Sequence, residues 1–312
     1  MPELPEVETA RKLIAERALH RTIVAVDDTD SYVCRPHAPG QIRDALLGRQ
    51  LIAAHRRGKT MWCETSGLDG SAEHGSAEHG SAEHGSAEHG SAEHGSAEHG
   101  PDLGLHLGMA GRIVVETPGL ETAFGGEPFR RDAQPARAQW DRFRLDFADG
   151  GSLVLFDKRR LGRVWLNPGL AALGPDAGTV TEAEFRDLVR RGTVAVKARL
   201  LDQSKIAGVG NLLADEALWQ ARISPQAPAG SLSRPAVSRL YHSLQAALAS
   251  AEANGGVHTG EVIAARRRGG VCPRCGAPMR QGVVGGRTTW WCSREQALRR
   301  AAGARTPRRA SV

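Results

Sequence analysis

Short β-like runs rich in apolar residues fill the first half of the chain. TIVAVDD (22–28), RQLIAA (49–54), KTMWCET (59–65), LGLHLGM (103–109), GRIVVE (111–116), FRLDFAD (143–149), SLVLFD (152–157) and RVWLN (163–167) each read as a strand, with turn residues between them. Eight short strands within the first 166 residues predict a β-sandwich or barrel. A helix precedes them. In PEVETARKLIAERA (5–18), Val7, Ala10, Ile14 and Ala18 share one face, Pro5 suits the first turn, and Glu6 and Glu8 suit the positive end. Beyond about residue 175 the period changes to that of helices, in TEAEFRDLVRR (181–191), ARLLDQSKI (198–206), NLLADEALWQARI (211–223) and RPAVSRLYHSLQAALASAEANGG (234–256). The second and third of these flank AGVG (207–210), a helix-turn-helix type connection whose tight backbone is able to approach a phosphate. Many helical hairpins have such turns and bind nothing.

One segment breaks both patterns. Residues 71–100 are SAEHG repeated six times, between KTMWCET and LGLHLGM. Lacking aromatic and branched apolar residues, the repeat cannot build a core, and residues 70–100 are expected to form a flexible insertion between two strands. Its Glu residues conceal part of the charge. Over the whole chain 41 Lys and Arg stand against 35 Asp and Glu, a net +6; outside the repeat they stand against 29, a net +12. So basic a body suits a polyanionic partner such as nucleic acid. No apolar run reaches the length of a membrane span, and no charged-then-apolar leader opens the chain, so a cytoplasmic protein is expected.

Three of the five cysteines cluster near the C-terminus, which in a reducing compartment favours a metal over a disulfide. Cys272 and Cys275 have CxxC spacing and Cys292 follows after sixteen residues; a second CxxC would put its last thiol at position 295, which is Glu295. Zinc accepts carboxylate oxygen, so Cys272, Cys275, Cys292 and Glu295 form the candidate metal set. Cys34 and Cys63 read as ordinary buried cysteines.

The opening MPELPEVE carries its own chemistry. Removal of Met1 would leave Pro2 as a terminal secondary amine. An α-amino group with a pKa near ~7.7–8.0 offers far more neutral nucleophile at neutral pH than a lysine near ~10.4. A Schiff base on proline is a cationic iminium and a strong electron sink. Glu3 and Glu6 would supply proton transfer for opening a sugar ring and for elimination.

PELPEVE (2–8), RRGK (56–59), HLGM (106–109), DKRRLG (157–162), LLDQSKIAGVGNLLADEAL (200–218) and GRTTWWC (286–292) occur in an order and spacing that resembles the formamidopyrimidine-DNA glycosylase / endonuclease VIII family. The resemblance runs from residue 2 to about 296, the repeat excepted. It implies an α+β multidomain protein: an N-terminal β-sandwich with a leading helix (1–166), a helix-two-turn-helix domain (176–263), a zinc-finger-like β-hairpin (266–296) and a basic tail (297–312), with DNA in the cleft between the halves. It further implies that Pro2 attacks C1′ of the damaged nucleotide, Glu3 acts as acid at the ring oxygen, Glu6 assists proton transfer and Lys59 contacts phosphate. Asn211 and Arg287 would hold the phosphates around the lesion, with Met109, Arg159 and Leu161 filling the gap left by an everted nucleotide. A structural Zn²⁺, a damaged double-stranded DNA partner and a monomeric state belong to the same expectation, with no redox cofactor. Two departures stand out. Glu295 replaces a cysteine, and the connection GGVHTGEVIAARRRGGVC (255–272) lacks a longer loop that covers an everted oxidised purine in the formamidopyrimidine branch. The shortened connection opens the lesion range to oxidised pyrimidines, formamidopyrimidines and abasic sites. The expected activity is base excision with strand cleavage by β,δ-elimination. A non-catalytic damaged-DNA-binding protein and an abasic-site lyase with little excision activity are the alternatives.

Overall fold

The computed structural model describes residues 2–68, 99–126 and 138–298. The centre of the SAEHG repeat and most of the basic tail, both singled out in the sequence, lie outside the described residues. Contacts divide the chain into two compact units. One comprises 10–56 and 60–168; the other gathers 2–9, 57–59 and the residues from 169 onward.

Two antiparallel sheets make up the first unit. Strands β1 (Ile23–Asp27), β5 (Arg112–Glu116), β6 (Ala123–Gly126), β7 (Asp141–Phe147) and β8 (Ser152–Phe156) form a five-stranded sheet in the order β1-β7-β8-β5-β6. Strands β2 (Leu51–Arg57), β3 (Thr60–Thr65), β4 (Leu103–His106) and β9 (Arg163–Leu166) form a four-stranded one in the order β2-β3-β4-β9. Alternation does what the sequence pattern requires: Met61, Cys63 and Thr65 of β3 are buried, as are Phe143, Leu145 and Phe147 of β7. All eight strands read from the sequence are present. The repeat joins two paired neighbours, since β3 and β4 run antiparallel and the ladder extends to a bridge between Ser66 and His99.

Helix α1 (Leu4–Arg17) opens the chain, and its first two turns count with the second unit. A short α2 (Gln41–Leu46) was not anticipated. The second unit holds α3 (Glu182–Val189), α4 (Val196–Leu201), α5 (Asn211–Gln220) and α6 (Arg234–Asn254). Thr181 caps α3 in a reciprocal capping box with Glu184, and Ser233 caps α6 with Pro235 in its first turn. One apolar cluster runs through these helices and includes Leu4, Phe185, Leu200, Val209, Leu213, Leu240 and Leu244. Strands β10 (Met279–Val284) and β11 (Arg287–Cys292) complete a two-stranded hairpin. It has its own small core of Trp219, Val262, Cys272, Ala277, Met279 and Cys292. The fold is therefore the expected mixture of N-terminal sheets, helical middle and C-terminal hairpin. Among the described residues no helix is long and apolar enough to cross a membrane.

Candidate active site

The predicted site residues fall into two groups, one in each unit. In the second unit the chain start is held from several sides. Pro2 and Glu3 are buried, Glu3 completely. Glu3 precedes the first turn of α1, and Glu6 returns its carboxylate to the Glu3 backbone N–H at 2.9 Å, which is one half of a capping box. The other Glu6 oxygen accepts from the Val257 N–H at 2.7 Å. Glu3 itself reaches α5. Its two oxygens accept from the N–H groups of Leu212 and Leu213, at 2.8 and 3.0 Å. Gly210, the residue before α5, offers no side-chain cap, so the Glu3 carboxylate fills that role at the positive end of the helix.

The glycines of AGVG follow from this packing. A Cβ on Gly210 would stand 2.2 Å from the Glu3 carboxyl carbon, and one on Gly208 would stand 2.7 Å from Leu4 Cδ1. Gly208 also has φ +108°, and its carbonyl accepts from the Leu4 N–H at 3.2 Å. The tightness of the turn admits the chain start, and the Leu212 and Leu213 N–H groups of α5 are occupied by Glu3.

Lys59 follows Gly58, whose φ of +62° makes the β2–β3 turn, and its ammonium donates to the Val209 carbonyl at 2.9 Å. Gln203 donates to the same carbonyl and accepts from the Gly208 N–H, which fixes the turn from beneath. Burial pushes the Glu3 carboxyl above the ordinary carboxylate range, with Lys59 and the α5 N–H groups opposing. Burial likewise pulls Lys59 below the usual lysine value, against the attraction of Glu3. A carboxyl that keeps its proton to higher pH beside an ammonium that gives one up more readily is suited to proton transfer.

Asn211 and Arg287 are carried by α5 and the hairpin. Gly285 and Gly286, at φ +58° and +71°, form the two-residue turn that places exposed Arg287 at the start of β11. A Cβ on Gly285 would lie 3.0 Å from Ala198 Cα, so the hairpin tip packs against α4. The Asn211 amide donates to the Thr288 carbonyl at 3.1 Å and accepts from Lys197 at 2.7 Å. Lys197 is completely buried. It also donates to Thr289 at 2.8 Å and pairs with Asp215 at 2.6 Å, while the other Asp215 oxygen takes Arg266 at 2.8 Å. This network joins α4, α5 and the hairpin under Asn211 and Arg287. Sequence reading passed over Lys197, Asp215, Arg266 and Gln203. The available signal was a lone lysine inside the apolar run VAVKARLL. Lys197→Met is expected to destabilise the protein by about 3 kcal/mol, the lower end for breaking a buried ion pair because Arg266 still faces Asp215. A denaturant midpoint measured by tryptophan fluorescence checks it, and a shift below about 1 kcal/mol would show the network to be dispensable.

The first unit carries Met109, Arg159 and Leu161. Asp157, also missed in the sequence and fully buried, organises their loop: Oδ1 accepts from the Arg159 N–H, and Oδ2 from the N–H groups of Leu161 and Gly162, both at 2.7 Å. Arg160, with φ +53°, turns away and makes a two-point contact with Asp30. A Cβ on Gly108 would stand 2.3 Å from the Leu161 carbonyl carbon, so the HLGM turn and the DKRRLG loop touch backbone to backbone. This contact joins the two loops that carry Met109 and Leu161, each 38% exposed, and exposed Arg159. Exposed apolar side chains on a braced loop are suited to contact with bases.

In the hairpin, the Cys272, Cys275 and Cys292 sulfurs lie within 4.8 Å of one another. Trp219 Nε1 donates to Cys272 Sγ at 3.2 Å, and the Glu295 N–H to Cys292 Sγ at 3.3 Å. The Cys272 thiol falls to about 7, lowered against burial by the Trp219 contact and by backbone donors. Three sulfurs so arranged fit zinc in three of its four positions. The Glu295 carboxylate is elsewhere. It accepts from Arg274 at 2.9 Å and lies 3.9 Å from Arg222, and among the described residues the metal-competent group contains the three cysteines alone. Cys34 and Cys63 are buried as expected, and burial pushes both thiols up to about 12.

A buried carboxyl that caps α5 beside the chain start and a hairpin that presents an arginine thus belong to one unit. Comparison with known proteins gives the family. The profile described as formamidopyrimidine-DNA glycosylase N-terminal domain matches residues 1–164, and that of the formamidopyrimidine-DNA glycosylase H2TH domain matches 172–261. The formamidopyrimidine-DNA glycosylase of Chloroflexus aggregans is 32% identical over 320 residues, covering 96% of this chain and 99% of its own. That of Nocardioides sp. is 32% identical over 319 residues, covering 94% and 93%. Among solved structures, Lactococcus lactis Fpg in complex with abasic-site DNA has a TM-score of 0.70 at 25% identity, covering 95% of this chain and 100% of that one. The same protein bound to FAPY-dG DNA has a TM-score of 0.70 at 26% identity with the same coverage. The chain belongs to the formamidopyrimidine-DNA glycosylase family.

Proposed function

We propose that the protein excises oxidised bases from double-stranded DNA and cleaves the resulting strand, using the Pro2 nitrogen as nucleophile after removal of Met1. The observation that carries this reading is the placement of Glu3, directly after Pro2, as a fully buried carboxyl on the N-terminus of α5 with Lys59 beside it. Relatives with the formamidopyrimidine name and solved complexes of Fpg with damaged DNA support the substrate class.

The Pro2 nitrogen attacks C1′, and the glycosidic C–N bond breaks with its electron pair leaving on the base, which takes up the proton given off by the proline nitrogen. Glu3 gives its proton to the ring oxygen, the C1′–O bond opens, and C1′ is left as an iminium of the proline nitrogen. Loss of a C2′ proton expels the 3′ phosphate. A second elimination expels the 5′ phosphate, and water returns the free amine. Glu6 holds the backbone of Glu3 and assists proton transfer. Lys59, the second Asn211 amide proton and Arg287 bind phosphates, while Met109, Arg159 and Leu161 occupy the vacated stack. Zinc, when bound by Cys272, Cys275 and Cys292, supplies structural cross-linking of the hairpin that carries Arg287.

The short connection from α6 to the hairpin leaves little chain to cover an everted 8-oxoguanine, which argues against a preference for that lesion. It contains only single turns at Val257–Thr259 and Ile263–Ala265, and its Val257 and Val262 N–H groups are tied down by Glu6 and Glu216. Duplexes carrying a formamidopyrimidine, an oxidised pyrimidine, 8-oxoguanine or an abasic site test the reading. Base release and strand scission are expected on the first two, scission on the abasic duplex, and the slowest release from 8-oxoguanine. Binding with no release from any lesion base would overturn it. Arg287→Ala should weaken duplex binding and reduce the slope of log K against log salt by about 1, the loss of one phosphate contact. Titration at several salt concentrations reads this directly, and an unchanged slope would remove Arg287 from the phosphate contacts.

A further inference from the structure

The residue at the expected fourth ligand position is engaged in a different task. Glu295 Oε2 accepts from Arg274 Nη1 at 2.9 Å, and Oε1 lies 3.9 Å from Arg222 Nε. The Glu295 and Arg274 side chains are only 15% and 26% exposed. Arg274 comes from the knuckle between Cys272 and Cys275. Its guanidinium lies 3.9 Å over the Trp219 ring, and the same nitrogen donates to the Trp219 carbonyl at 3.1 Å. Trp219 sits at the end of α5 and packs in the core of the hairpin. Next in sequence, Gln296 is buried and spans from the Cys292 N–H, at 2.8 Å, to the Ile223 carbonyl, at 2.9 Å. The segment after Cys292 is thus sewn to the end of α5 by a carboxylate, two arginines and an amide.

Zinc bonds run about 2.0–2.3 Å, so a fourth ligand atom has to close on the same centre as the three sulfurs. Glu295 could do so only by leaving Arg274. That would strand a partly buried guanidinium and add a fourth negative ligand to three thiolates. We infer that Glu295 is the anionic half of a staple with Arg274 that fastens the hairpin to α5, and that zinc at Cys272, Cys275 and Cys292 has three protein ligands and a fourth position open to a small exogenous donor. The staple does for the hairpin part of what a fourth zinc–sulfur bond would do.

Full-length protein, stripped of metal and titrated with Zn²⁺ against a chromophoric chelator, tests this with three variants. Glu295→Gln is expected to keep zinc affinity within about threefold of the native value, because no metal bond is lost, whereas loss of a true ligand would cost at least as much as the 10–100-fold typical of outer-shell changes. Glu295→Cys should raise affinity by about tenfold or more. With Co²⁺ in the site, added imidazole should shift the visible bands of the native protein and leave those of Glu295→Cys unmoved. Hydrogen exchange at the Glu295 and Gln296 amides should accelerate equally in Glu295→Gln and Arg274→Met, with no further gain in the double variant. A tenfold loss of zinc affinity in Glu295→Gln would overturn the inference. So would Co²⁺ bands in the native protein that ignore imidazole, or exchange unaffected by Arg274→Met.

Discussion

Replacing Pro2 with Gly is expected to lower borohydride-trapped complex on an abasic duplex by at least about 100-fold, equivalent to some 2.7 kcal/mol of lost transition-state stabilisation. Duplex affinity should stay within about threefold, since the phosphate contacts are made by other residues. Glycine keeps a terminal amine, so the difference lies in the kind of Schiff base formed. A secondary amine gives an iminium that is cationic at every pH. A primary amine gives an imine that loses its proton and much of its electron-withdrawing power. Glycine also frees the backbone just before Glu3 and Leu4, whose N–H groups are held by Glu6 and by the Gly208 carbonyl. Trapping and binding measured on one preparation separate chemistry from folding. Equal loss of both would make Pro2 a structural residue.

Glu3→Gln has the second large expected effect. It keeps the size of the side chain and one acceptor for the α5 N–H groups, but removes the proton donor. Base release should fall by about 10²–10⁴-fold, the usual share of a general acid. Cleavage of an existing abasic site should fall much less, because that sugar already opens to an aldehyde without help at the ring oxygen. The pH dependence carries the same signature. Burial raises the Glu3 pKa, so its proton persists above the range of a free glutamate and is lost as pH rises further. Base release by the native protein should therefore show an alkaline limb that abasic-site cleavage lacks. Equal losses on both substrates in the Glu3→Gln protein would assign Glu3 to holding α5 alone.

The β unit was legible because β3 and β7 bury alternate residues, and because the other strands, such as the wholly buried β8, are short apolar runs bounded by turn residues. What escaped were β6, whose AFGG has two glycines and no alternation, and α2, six residues long with little periodicity to read. The helix read over 198–206 ends at Leu201, because Asp202 accepts from the Ser204 N–H and turns the chain. Motif residues were legible as chemistry, and their supports were not. Lys197 meets Thr289 across 92 positions, and Glu3 meets Leu213 across 210, separations that no local pattern records. The AGVG turn shows how backbone tightness can be read locally while a cause of it lies far away in sequence: its glycines make room for Glu3 and Leu4. Glu295 carries a similar lesson: cysteine spacing pointed to a ligand, and only the position of Arg274 reveals a competing partner.

The most direct test of the central claim is the site of the covalent bond. Native protein should be trapped with borohydride on an abasic duplex, digested, and the nucleotide-bearing peptide sequenced by mass spectrometry. The adduct is expected on the nitrogen of Pro2, in a peptide that begins PELPEVE and lacks Met1. An adduct on Lys59 or another lysine, or none from protein that has lost Met1 and binds the duplex, would contradict it.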